Sequence, residues 1–272
     1  MRTIKWGLLA VLGIAACGRD ATEPREVVPT ASVRFVNAVP DTMAMDYRFV
    51  DFVTNAGLFG AAFRANQPHY QPLRAGPHTF RVFLSSSDPA IASTVVHEQA
   101  FTFAENASYT VVHSGFMRGG PPAGAVSVQQ DNAPVPAAGR VGLRVLHLGA
   151  GMGAVDVFVG TTSTAGQTPS TTPTWTNVAF GQATPYVEAD TAALRVAATA
   201  TGTTTPLLVA NTAAPAGSPA SGTSSAIAGV RIAGSVLTVV ILPPSVPGSM
   251  APQTAAFTVP AFAFLNDRRP PN

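Results

Sequence analysis

Hydrophobic and polar residues alternate along much of this chain. Met45, Tyr47 and Phe49 alternate with Asp46 and Arg48, Phe80, Val82 and Leu84 with Arg81 and Phe83, and Tyr109 and Val111 with Thr110 and Val112. A period of two is what a half-buried strand requires, because successive side chains point to opposite faces of a sheet. Turn-forming stretches such as Arg74-Ala75-Gly76-Pro77 and Ala104-Glu105-Asn106 punctuate the runs. No segment carries a convincing helical period. About seven short strands per roughly 100 residues predict an all-β, immunoglobulin-like antiparallel β-sandwich, with a closed barrel as the alternative.

The pattern occurs twice. Val33-Arg34-Phe35-Val36-Asn37-Ala38-Val39-Pro40-Asp41-Thr42-Met43-Ala44-Met45-Asp46-Tyr47-Arg48-Phe49 aligns without gaps on residues 143–159, so that Arg34 meets Arg144, Asn37 meets His147 and Asp46 meets Asp156. The register continues more loosely: Ala62-Phe63 with Pro68 and Tyr70 answers Ala179-Phe180 with Pro185 and Tyr186. Phe80-Arg81-Val82 answers Leu194-Arg195-Val196, and Tyr109-Thr110-Val111-Val112 answers Leu237-Thr238-Val239-Val240. Four blocks in one order indicate a duplication. The expected organisation is a first sandwich over residues 31–132, a Pro/Ala/Gly linker over 133–139, a second sandwich over 140–267 and a tail over 268–272.

Composition narrows the classes. The chain is 46% hydrophobic and only 11% charged, with 24 Gly and 24 Pro in 272 residues, which argues against disorder and against long helices. Sixteen basic residues face fourteen acidic ones, but Arg2 and Lys5 fall in a segment expected to be removed, and fourteen of each remain. Lys5 is the only lysine. No basic cluster of the kind that neutralises phosphates is present, so nucleic acid is not an expected partner.

Residues 1–16 have the features of an export signal: a positive start at Arg2 and Lys5, then eleven apolar residues from Trp6 to Ala16. Eleven residues are too few for a hydrocarbon core that needs about 20. The sequence Ile14-Ala15-Ala16-Cys17 resembles the bacterial lipobox, in which the cysteine is lipidated and becomes the first residue. Cys17 is the only cysteine, so an exported domain here would rely on packing and not on internal disulfides. The resemblance implies membrane attachment through Cys17, and Gly18, where an Asp would favour inner-membrane retention, favours the outer membrane or cell surface. Residues 18–30 are polar and aperiodic, a tether spanning on the order of 20 Å.

An Arg-containing strand, a short loop and a Val-Asp-Val-aromatic-Val strand together resemble a bacterial envelope family known only as domain of unknown function 4397. The second half carries Leu143-Arg144-Val145-Leu146-His147 and Ala154-Val155-Asp156-Val157-Phe158-Val159. The first replaces the histidine by Asn37 and keeps Pro40-Asp41 and Asp46. The resemblance implies tandem sandwiches behind a lipobox and supplies no catalytic residues.

Signals for chemistry are sparse. There is no Gly-x-Ser-x-Gly elbow, His-Glu-x-x-His or Cys-x-x-Cys, and no catalytic residue, metal or cofactor is expected. Gly149-Ala150-Gly151-Met152-Gly153 precedes a strand, where a phosphate loop would precede a helix. His69 and His78 flank one predicted hairpin and would give only two ligands, fewer than zinc sites use. Asp41, Asp46 and Asp51 are spaced so that consecutive members face opposite ways along a strand. The binding candidates are His147 with Asp156, which a tight loop could bring within hydrogen-bond reach, Asp46 as the equivalent of Asp156, and Trp175, which either stacks on a sugar or packs against Val178 and Phe180. The reading that competes with a His147–Asp156 pair is that Asp156 caps that loop or holds backbone N–H groups, as Asp46 would do in the first half.

Between residues 141 and 265 only six charges occur, so the strands' outer faces are expected to be exposed Thr, Ser, Ala and Gln. The stretches 161–174 and 199–225 are expected to be mobile loops. The leading expectation is a non-catalytic, lipid-anchored envelope protein that displays two sandwiches to an envelope protein or polysaccharide. A hydrolase of envelope polymers and a purely architectural spacer are the alternatives.

Overall fold

A computed structural model describes residues 28–52 and 56–271. The expected signal, Cys17 and most of the tether lie outside them. Among the described residues, apart from one helical turn at Pro89–Ala92, the regular elements are strands. The first half holds β1 (Thr30–Ala38), β2 (Met45–Phe49), β3 (Gly57–Ala61), β4 (Gln71–Arg74), β5 (Gly76–Leu84), β6 (Val95–Phe103), β7 (Ser108–Ser114) and β8 (Ala125–Gln130). The second holds β9 (Arg140–His147), β10 (Val155–Gly160), β11 (Trp175–Val178), β12 (Val187–Asp190), β13 (Arg195–Ala200), β14 (Leu207–Ala213), β15 (Val236–Leu242) and β16 (Ala261–Arg268).

Four four-stranded sheets result, ordered β4-β1-β7-β8 and β3-β2-β5-β6 in the first half, β12-β9-β15-β16 and β11-β10-β13-β14 in the second. Adding eight to each strand number converts one half into the other, so the duplication is a property of the topology. Each half closes its two sheets on an apolar core: Phe35, Tyr47, Phe80 and Phe103 are prominent in the first, Leu143, Val157, Val196 and Leu237 in the second. The fold is all-β and sandwich-like, with eight strands per half where seven were expected.

Three expectations require correction. The sheets are not wholly antiparallel, because β1 pairs with β7, and β9 with β15, in parallel. The whole of the opposite sheet lies between these partners in sequence, which is the long crossover that parallel pairing needs. The stretch 199–225 is not simply a loop: it contains β14, bonded to β13, where its Thr/Ala/Pro composition concealed Leu207 and Val209. The outer faces of the central strands are not exposed either. Every residue of β15 is buried, as is β9 beyond its first residue. A strand buried on both faces reads as a continuous apolar run.

What covers those faces is the other half. Val36, Ala38 and Val112 of the first half pack on Leu146, Leu148, Val240, Leu242 and Leu265 of the second in a third core. The two Arg-bearing sheets therefore lie back to back across a pseudo-twofold axis.

Candidate functional site

A ring of charges lies beside that third core. Arg34, 0% exposed, stands on the outer face of β1 opposite Thr110 on β7, and Arg144 stands in the same way on β9 opposite Thr238 on β15. Arg34 Nε donates to Thr110 Oγ at 2.8 Å, and this hydroxyl donates to Asp131 at 2.6 Å. Arg144 Nε donates to Thr238 Oγ at 2.7 Å, and this hydroxyl donates to Asp267 at 2.5 Å. The terminal nitrogens then cross over: Arg34 donates to Asp267 and Arg144 to Asp131. Each guanidinium lies over a tyrosine, Arg34 at 4.4 Å from the Tyr70 ring and Arg144 at 4.7 Å from that of Tyr186. Both phenols donate to the aspartate of their own half, at 2.8 and 2.9 Å.

Two positive and two negative groups thus neutralise one another with their main donors and acceptors engaged, the condition under which buried charge is tolerated. Burial disfavours the Arg144 charge, but Asp131 and Asp267 outweigh it and hold the guanidinium above its ordinary range. Burial also pushes the Tyr70 and Tyr186 hydroxyls far up, so they remain donors. The repeat carried the signal for this cluster, since Arg34/Arg144, Thr110/Thr238 and Tyr70/Tyr186 were all matched positions. Asp131 and Asp267 were missed because each lies at the end of its half, beyond the matched blocks.

At one end of the molecule, loops of both halves meet. The loop after β7 is turned by Gly115 (φ +92°), where a Cβ would lie 2.4 Å from the Ala123 carbonyl oxygen. Asp41 receives the Met117 and Arg118 backbone N–H groups at 3.1 and 2.8 Å. From the second half, Val246 N donates to Pro40 O at 2.9 Å. A depression of about 370 Å³ opens between these loops, lined by Asp41, Phe116, Arg118 and the segment Val246–Ser249. Arg64 secures the second-half loop by donating to the carbonyls of Pro243 (2.6 Å), Ala256 (2.8 Å) and Val259.

The sequence-nominated residues lie elsewhere and are held mainly by backbone. His147 Nε2 donates to Gly153 O at 2.8 Å, while its Nδ1 accepts from Gly149 N at 3.2 Å. Asn37 does the same work in the first half, its Oδ1 accepting from Val39 N at 3.0 Å. Asp156 accepts from Asn177 N and Gly202 N, each at 2.8 Å, and not from His147. Of the two readings of Asp156, the structure shows the one in which it holds backbone N–H groups and does not form a His147–Asp156 pair: the intervening loop turns the ring onto itself.

Asp46 accepts from Gly60 N at 2.8 Å and from Arg48. Gly60 (φ +57°) and Asn177 (φ +52°) both have left-handed backbone, and the β2–β3 and β10–β11 pairings shift register opposite Asp46 and Asp156. The two aspartates thus cap equivalent β-bulges. Burial opposes ionisation of Asp46, but the Gly60 N–H and Arg48 hold its carboxyl below the usual range. Trp175 is buried in the second core with Val178, its indole N–H donating to Pro185 O at 3.3 Å, so its ring packs as part of that core. Phe180 instead meets the His147 ring edge.

His78 spends both nitrogens on Asp51 (2.8 Å) and Arg74 O (2.7 Å) and does not join His69. Asp41, Asp46 and Asp51 serve three separate turns. Among the described residues no three His, Cys, Asp or Glu side chains converge as a metal site, and no helix is long and apolar enough to cross a membrane.

No curated protein matches the chain. A family model does, over residues 31–158, a span that takes in the first sandwich, β9 and most of β10, with Arg34, Asp46, Arg144, His147 and Asp156 all inside it. Residues 31–158 of this chain are thus similar to the family described as Domain of unknown function (DUF4397).

Proposed function

We propose that this is a non-catalytic lipoprotein of the cell envelope, anchored through Cys17, that presents its two sandwiches as one stiff body for binding an envelope protein or polysaccharide. The observation that carries the reading is the loop-lined depression to which both halves contribute, Asp41, Phe116 and Arg118 from one and Val246–Ser249 from the other. A surface assembled from two halves keeps its shape only if their relative position is fixed. The buried Arg–Asp exchange and the third core supply that constraint. Loops on a rigid β scaffold are a common place for recognition. The polar side chains that suggested chemistry, His147, Asp156 and Asp46, are committed to holding backbone, which favours binding over hydrolysis.

The anchor rests on the sequence Ile14-Ala15-Ala16-Cys17, and more than one acyl chain on Cys17 would make release from a bilayer negligible. Both parts are tested in one set of cells by metabolic palmitate labelling combined with photo-crosslinking from position 118. Wild type is expected to carry label and to capture a discrete envelope component, while Cys17→Ser loses the label. Label retained by Cys17→Ser removes the anchor. Crosslinks from position 118 no more specific than those from the exposed Val135 remove the binding surface.

A further inference from the structure

One group of side chains in the first half is unused by either the junction or the loop surface. His113, on the inner face of β7, is 1% exposed, and its Nε2 lies 3.3 Å from Met117 Sδ. Its Nδ1 lies 3.3 Å from the Tyr47 hydroxyl. His97 comes from β6 of the facing sheet, with its ring centroid 6.2 Å from that of His113 and its Nε2 3.3 Å from Gln99 Oε1. His97 and Met117 are both half-buried, so the group reaches solvent at the open edge of the sandwich. Gly124 makes room for the thioether: a Cβ there would lie 2.1 Å from Met117 Sδ.

We infer that His97, His113 and Met117 form a binding site for a soft monovalent cation, Cu(I), with two imidazole nitrogens and one thioether sulfur as ligands. The donor set selects the ion, since a thioether suits Cu(I) and contributes little to the binding of hard divalent cations. The spacing suits one ion. With metal–nitrogen bonds of about 2.0–2.1 Å and metal–sulfur bonds of about 2.3 Å, a nitrogen and a sulfur on one centre stand roughly 3.3–4.3 Å apart, the upper limit being a linear arrangement. The His113–Met117 separation lies at the lower end of that range. Two imidazoles on one ion have ring centres about 5–6 Å apart by the same bond lengths, so His97 needs only a small inward rotation.

The outer partners are also in place. Tyr47 accepting from His113 Nδ1–H leaves Nε2 as the ligand atom, and Gln99 accepting from His97 Nε2–H leaves Nδ1. Histidine ligands are commonly oriented in this way through the nitrogen that does not bind metal. The second half has Ile241 and Val157 where the first has His113 and Tyr47, so the duplication contains its own control.

The test is anaerobic titration of the full chain with Cu(I) in competition with bicinchoninate, in a Cys17→Ser background so that no thiol competes. One equivalent is expected to bind, with affinity falling at least tenfold in Met117→Leu and in His97→Gln. X-ray absorption of the Cu(I)-loaded parent is expected to show one sulfur among two nitrogens, which keeps the inference testable should a variant fold poorly. No binding by the parent, unchanged affinity in both variants, or a copper shell without sulfur would each overturn it.

Discussion

Arg34 and Asp267 are 233 positions apart in sequence and form an ion pair with both side chains fully buried. The same exchange occurs in reverse between Arg144 and Asp131. Duplication explains the geometry: a sheet that puts an arginine on its outer face, copied and turned about a twofold axis, gives each arginine the other copy's aspartate as well as its own. The pairing then fixes the register in which the eight apolar residues of the third core meet.

Removing one partner leaves a buried charge without compensation. Arg34→Met is expected to cost about 3–5 kcal/mol, the range for breaking a buried pair. Urea unfolding at neutral pH measures it. Arg34→Met combined with Asp267→Asn should recover part of the loss, which is the mark of direct coupling in a double-mutant cycle.

The bulge-capping aspartates make a matched pair of predictions. Asp156→Ala leaves the Asn177 and Gly202 N–H groups without their acceptor, and Asp46→Ala does the same to Gly60. Each of these part-buried hydrogen bonds contributes about 0.5–1.5 kcal/mol. Asp156→Ala should therefore be the more damaging of the two, in thermal melts of both variants under one buffer condition.

Stability should fall with mild acid. Burial, with the neighbouring His97 second, depresses His113 from its ordinary 6.5 to about 3, and burial lowers His147 despite its bond to Gly153. The native state keeps both rings neutral, so the unfolded chain binds protons first. The contribution is complete above about pH 6.5 and is lost as pH falls from there toward 3. A urea midpoint that drops between pH 7 and 5, with a shallower slope in His113→Ile, is the expected result. A flat profile would show that the rings are not held neutral.

Arg64 is half enclosed by carbonyl groups, and burial lowers its guanidinium to about 10. Arg64→Met should release the loop after β15 without unfolding the sandwiches. Hydrogen exchange is expected to quicken at Ser245, whose N–H donates to Phe257 O, and at Phe257, whose N–H donates to Thr254 O, while strand amides in β9 and β15 stay protected.

Much of the fold was legible in the sequence for a simple reason. Half-buried strands such as β2 and β5 announce themselves by alternation, and a duplication announces itself by repeated order. The outer faces of β1, β7, β9 and β15 were not legible, because a face covered by another domain looks the same in sequence as a face covered by its own sheet partner. Asp131 and Asp267 escaped for a related reason: each lies at the end of its half, and only the twofold packing brings it to an arginine of the other. His147 and Asp156 were singled out correctly as paired with Asn37 and Asp46, but their backbone duties depend on the left-handed residues opposite them. His97 and His113 were overlooked in favour of His69 and His78. Proximity along a hairpin is visible in sequence, whereas proximity across the open edge of a sandwich is not.

Differential scanning calorimetry of the chain tests the central claim most directly. If the reciprocal Arg–Asp exchange and the third core join the halves into one cooperative body, a single transition will appear, with calorimetric and van't Hoff enthalpies in agreement. Two separable transitions in the wild-type protein would contradict it.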